Sequence, residues 1–147
     1  MAVRVQEAAF DLGAETEAFA NAQADMGAVV TFTGIVRDLP GDRLDRMVIE
    51  HYPGMTEKAL EKIEADARTR WSLGDALIIH RYGPMTAQER IMMVATAARH
   101  RKDAFEAAEF LMDYLKSRAP FWKKEFTDTG ADWVAAKDAD EDALNRW

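Results

Sequence analysis

The chain has 147 residues, no cysteine, and a formal charge of −7 from 19 Lys and Arg against 26 Asp and Glu. That length suits one domain over residues 1–147, and a make-up of 48% hydrophobic and 31% charged residues excludes a disordered chain. Without cysteine there are no disulfides, thiolate metal sites or thiol nucleophiles, and the acidic balance argues against a general nucleic-acid binder.

In chain order, residues 13–23 read as a short helix with Phe19 as its main buried side chain. GAVVTFTGIV (27–36) is rich in β-branched residues and reads as a strand, with Val30, Phe32 and Val36 on one face and Val29, Thr31 and Ile35 on the other. RDLPGDR follows as a loop around Pro40-Gly41. Residues 46–51 form a second strand, and the two strands are expected to pair as a hairpin. After Pro53-Gly54, Leu60, Ile63, Ala67 and Trp71 recur at three- and four-residue spacings, predicting a helix over 56–71 closed by Gly74. Residues 76–82 and 90–97 are two further strands, joined by a turn region with Gly83-Pro84.

A long helix is expected over 103–119, with Asp103 and Glu106 as an N-cap pair and Phe105, Ala108, Met112 and Leu115 as the buried stripe. Pro120 ends it, residues 121–126 are extended, and the acidic tail closes in a short helix over 139–146. The order strand–strand–helix–strand–strand–helix predicts an α+β fold, an antiparallel sheet with packed helices. The longest mostly apolar stretch, Ile91 to Ala98, is far short of the ~20 residues that span a bilayer. The N-terminus lacks a basic start followed by an apolar block, so a cytoplasmic location is expected.

Three basic spots stand out in this acidic molecule: Arg37 at a strand end, His100-Arg101-Lys102 ahead of the long helix, and the segment MDYLKSRAPFWKKE (112–125). Lys116 in a last helical turn is accounted for by complementing the helix dipole. Basic residues at the opposite end oppose that dipole unless an anion joins them. His51 and His80 fall within strands and read as structural rather than metal-ligating. No His-x-x-x-His pair, carboxylate cluster or Gly-rich phosphate loop is present, so neither a metal nor a resident cofactor is expected. Sixteen helical residues from His100 to Lys116 would span roughly 24 Å, too far for one small substrate. Either these are two sites, or a second copy brings its His100 and Arg101 to the first copy's lysines in a symmetric homodimer.

The stretches VVTFTGIVRD (29–38), EHYPGMTEKAL (50–60), IHRYG (79–83), HRKDAFEA (100–107) and MDYLKSRAPFWKKE, with DWV and the final RW, closely resemble the large, catalytic subunit of molybdopterin synthase over nearly the whole chain. The resemblance implies an α/β hammerhead-type fold and a sulfurtransferase that turns cyclic pyranopterin monophosphate into molybdopterin. It implies a ubiquitin-like small subunit as sulfur donor, its C-terminal Gly-Gly carrying a thiocarboxylate, in a heterotetramer built on a homodimer of large subunits. It further implies Lys116 and Lys123 as catalytic residues and Ile35, Val36, Arg37, His100, Arg101, Lys116, Lys123, Lys124 and Glu125 as substrate-binding, His100 and Arg101 coming from the neighbouring copy. Four positions depart from the common pattern: Arg99 and Gln88 where a small residue and a glycine are usual, Lys137 for an arginine, and Ile35 for a lysine. The alternative function is a non-catalytic module binding a ubiquitin-like tail or a phosphorylated metabolite.

Overall fold

The computed structural model describes residues 2–39, 43–134 and 138–147; Lys137 and the Pro40-Gly41 turn lie outside these. Its centre is a four-stranded mixed sheet in the order β1-β4-β6-β2, formed by Ala2–Gln6 (β1), Asp75–Arg81 (β4), Arg90–Ala98 (β6) and Ala28–Ile35 (β2). β1 runs parallel to β4, and the other pairs are antiparallel. A second sheet, antiparallel throughout, has the order β5-β3-β7-β8: Gly83–Met85 (β5), Leu44–His51 (β3), Phe121–Thr127 (β7) and Gly130–Trp133 (β8). The helices are Leu12–Asn21 (α1), Met55–Trp71 (α2), Arg101–Ser117 (α3) and Asp138–Leu144 (α4). This is the expected α+β class. Among the described residues no helix is long and apolar enough to cross a membrane.

β4 and β6 read as continuous apolar runs because both faces of the central sheet are covered. Leu77, Ile79, Met93, Ala95 and Ala97 face α1 and its buried Phe19. On the other face, Ala76, Ile78, Met92, Val94 and Ala98 join the main core with Leu60, Ile63 and Ala67 of α2 and Ala104, Ala107, Phe110, Leu111 and Leu115 of α3. Buried Thr96 ties sheet to helix, its hydroxyl donating to the Ala104 carbonyl at 2.7 Å.

Several expectations are corrected. β2 and β3 do not form a hairpin. The apolar β6 needs partners on both edges, and β2 supplies one, whereas β3 pairs with β5 and β7 in the other sheet. A bulge between Gly34 and Ile35 breaks the β2 alternation, so Val36 is buried while Phe32, placed on the same face by a strict period of two, is 45% exposed. α3 starts at Arg101 with His100 as N-cap, which makes no side-chain capping bond. Asp103 therefore lies inside the first turn, and Glu106 instead accepts a 2.9 Å hydrogen bond from the Trp71 indole. With that register Phe105 is 61% exposed, and Phe110 and Leu111 take the buried stripe. α2 ends at Trp71 rather than at Gly74, and its C-cap Ser72 takes the left-handed conformation (φ 50°).

Candidate active site

α3 carries Lys116 in its last turn, and the chain then breaks at Ala119-Pro120, where Phe121 N–H donates to the Ala119 carbonyl at 2.8 Å. β7 starts at once, and its two-residue period sets Phe121, Lys123 and Glu125 on one face and Trp122, Lys124 and Phe126 on the other. Pro120 is thus the device that folds Lys123 back beside Lys116. Both line one cavity of about 610 Å³, walled by Gly34 and Ile35 of β2, His80 of β4, Met112 of α3 and Trp133 beyond β7. Asp140 of α4 closes one side, held by Ser117 Oγ donating to its carbonyl at 2.9 Å and by a 2.7 Å pair between Arg118 and Glu141.

Electrostatics in this cavity are unusual for an acidic protein. Burial pushes the Lys123 ammonium down to about 8, and neighbouring Lys116 pushes the same way, while Asp140 and Glu125 oppose. Near neutral pH an appreciable share of Lys123 is therefore the free amine, able to accept a proton or stay a cation beside an anion. Ring stacking on Phe121 at 3.7 Å and a hydrogen bond to the Arg81 carbonyl hold His80. That agrees with its structural reading, yet it also faces the lysines.

The second basic cluster lies at the other end of α3. Gly27, Ala28, Arg99, His100, Arg101 and Lys102 surround a shallow hollow of about 440 Å³. Gly27 is required there, since a Cβ would stand 2.5 Å from the Arg99 carbonyl oxygen. Within one chain His100 and Arg101 thus stand apart from Lys116 and Lys123, with the helix between them. Of the other residues implied by resemblance, Ile35 lines the cavity and is 57% exposed. Val36 is buried and contributes backbone only, exchanging bonds with Glu89 and Gln88. Arg37 is exposed beyond that strand end, outside the cavity lining. Lys124 lies on the opposite face of β7, its Nζ 5.2 Å from the Trp133 ring. Glu125 is half-buried on β7 opposite Met47.

Sequence reasoning missed His80, Trp133 and Asp140 as cavity residues. The IHRYG and DWV stretches contain the first two, but nothing in one strand's pattern says which cavity it faces.

The fold is an α+β domain with two basic clusters, one a pair of lysines in a cavity, and comparison with known proteins gives its family. The family model described as MoaE protein matches residues 5–118. A curated relative from Cereibacter sphaeroides, named molybdopterin synthase catalytic subunit, is 65% identical over 147 residues, covering 100% of both chains. A solved molybdopterin biosynthesis MoaE protein from Burkholderia ambifaria is 51% identical with a TM-score of 0.84, covering 100% of this chain and 98% of that one. A molybdopterin synthase structure from Staphylococcus aureus is 30% identical with a TM-score of 0.82, covering 90% of this chain and 96% of that one. The chain belongs to the MoaE family of molybdopterin synthase catalytic subunits, with the role in molybdenum cofactor biosynthesis those names carry.

Proposed function

We propose that this protein transfers sulfur to a pterin: with a thiocarboxylated, ubiquitin-like small subunit it converts cyclic pyranopterin monophosphate into molybdopterin. The observation that carries the reading is the convergence of Lys116 and Lys123 in one cavity, with Lys123 poised near pH 8. Donor and acceptor are both anionic and repel each other in water, and two ammonium groups in a partly desolvated cavity offset that repulsion. Each donor sulfur forms a bond to a side-chain carbon of the pterin as a carbon–oxygen bond there breaks, the cyclic phosphate opening to a monoester at one carbon and oxygen leaving as water at the other. Water then cleaves the acyl–sulfur bond, so the sulfur stays on the pterin and the tail leaves as a carboxylate. Lys116 stabilises the oxyanion of that cleavage, and Lys123 moves a proton or steadies charge on the pterin. Arg37, with His100 and Arg101 of a second copy, is suited to the phosphate, arginine in fork geometry. A structure from Helicobacter pylori, 20% identical and alike in fold at a TM-score of 0.75, is titled a complex of subunits 1 and 2 of molybdopterin-converting factor, which suits a two-subunit assembly here. A cytoplasmic location accords with this role.

Reconstitution with a thiocarboxylated small subunit and the cyclic pterin, followed by dithiolene formation, tests the reading. Lys116→Ala should still bind both ligands and make no dithiolene. Dithiolene formation retained in that variant would overturn the role given to Lys116, and none from the unaltered chain would leave only a binding module.

A further inference from the structure

His80, a buried residue, presents an unpartnered acceptor to the lysine cavity that it lines. The residue is 5% exposed, its ring lies against Phe121 at an interplanar angle of 16°, and Nδ1 is 2.8 Å from the Arg81 carbonyl oxygen. A carbonyl oxygen only accepts, so Nδ1 carries the proton and Nε2 presents its lone pair. Burial holds the ring's pKa down to about 3, and Lys123, Lys116 and His51 push it the same way, so it remains neutral across the working pH range. Among the described residues the Arg81 carbonyl is the ring's hydrogen-bond partner, and none donates to Nε2. An acceptor of fixed direction in a cavity wall, open to the space a ligand would fill, is suited to a ligand's N–H.

We propose that His80 Nε2 accepts the last backbone N–H of the small subunit's extended C-terminal tail while Lys116 and Lys123 take the terminal carboxylate or thiocarboxylate. This rests on the sulfur-transfer reading and adds to it how the tail is recognised. In a terminal glycine the amide nitrogen and the carboxyl carbon are separated by one methylene, so donor and anion enter side by side. That spacing suits an acceptor that shares its cavity with two ammonium groups. A phosphorylated pterin, whose phosphate lies several atoms from its ring N–H groups, matches it less well. His80 is then a positioning residue: it sets the depth and rotation of the tail and transfers no proton.

The test uses the small subunit made by ligation in two forms, one ending in Gly-Gly and one with the last glycine replaced by glycolic acid. The second form exchanges the amide N–H for an ester oxygen without adding bulk. Both are titrated calorimetrically against the full chain and against His80→Phe, which keeps an aromatic ring on Phe121. The ester should bind the unaltered chain about 3- to 10-fold more weakly, and His80→Phe should lose a similar factor with the native tail. The ester should lose nothing further on His80→Phe. Losses that multiply overturn the inference. So does an ester that binds the unaltered chain as tightly as the amide, an arm that needs no variant to fold. Either result leaves the sulfur-transfer reading standing, because that reading is judged by dithiolene formation. Failure of the native small subunit to bind at all would overturn both.

Discussion

Lys123 couples the site to pH in a direction opposite to most surface lysines. Its folded-state pKa of about 8 lies below the ordinary 10.5, so the unfolded chain binds more protons between these values. This residue's contribution therefore makes folding stability rise as pH climbs from about 8 to 10.5, with the cost of the buried charge fully present below 8. Chemical denaturation across that window should show the rise, and Lys123→Met should flatten it. Removing one of the two positive charges should relieve the other: Lys116→Met is expected to move Lys123 upward toward 10.5, read by NMR titration of its Cε resonance. Gln88 is a second residue under local constraint. It stands where a glycine is usual and still adopts φ 77°, while its N–H donates to the Val36 carbonyl at 2.8 Å. A side chain thus bears the left-handed conformation that glycine adopts readily. Gln88→Gly should stabilise the protein by about 0.5–1 kcal/mol, visible as a raised thermal midpoint.

Among the elements, α4 and the residues after it act as a brace. The Trp147 indole donates to Asp113 at 2.6 Å and meets Trp71 and Phe110 edge-on at 5.4 and 5.7 Å, while Arg146 pairs with Glu109 and Asp113 of α3. Trp147→Ala should cost about 2 kcal/mol, a drop of several degrees in a thermal melt, since a half-buried indole loses both packing and a hydrogen bond. Elements whose pattern repeats within one segment were legible from sequence. α2, with Leu60, Ile63 and Ala67 buried, and the paired β4 and β6 are examples. β1 and β8 were not, because AVRVQ and GADW are too short to carry a period and exist through pairing with distant strands. The same limit explains the β2–β3 hairpin: proximity along the chain favoured it, and competition for the edge of β6 decided otherwise. Lys116 and Lys123 were legible as a pair through Pro120, whereas His80 needed the meeting of two sheets to become part of their surroundings.

At the scale of the whole molecule, each proposed reaction centre is incomplete in a single copy, since the lysine cavity and the His100-Arg101 hollow occupy different surfaces. A two-fold pair of chains would complete two centres at once. Mixing a His100→Ala/Arg101→Ala chain with a Lys116→Ala chain should then recover activity from two inactive preparations. With random re-pairing, half of the dimers are mixed and each has one intact centre, so recovery should reach about a quarter of the unaltered level. Mixed dimers demonstrated by mass spectrometry yet devoid of activity would rule out shared centres.

The rod that separates the two hollows also serves as a ruler. Should each copy's amino-terminal end meet its neighbour's lysine end, the two α3 rods must lie head to tail, and the paired reaction chambers would be held roughly one rod length apart, about 24 Å. No single pterin bridges that gap. The chambers would turn over independently, each charged by its own donor, and both sulfurs of one product would have to be delivered to the same chamber by successive visits.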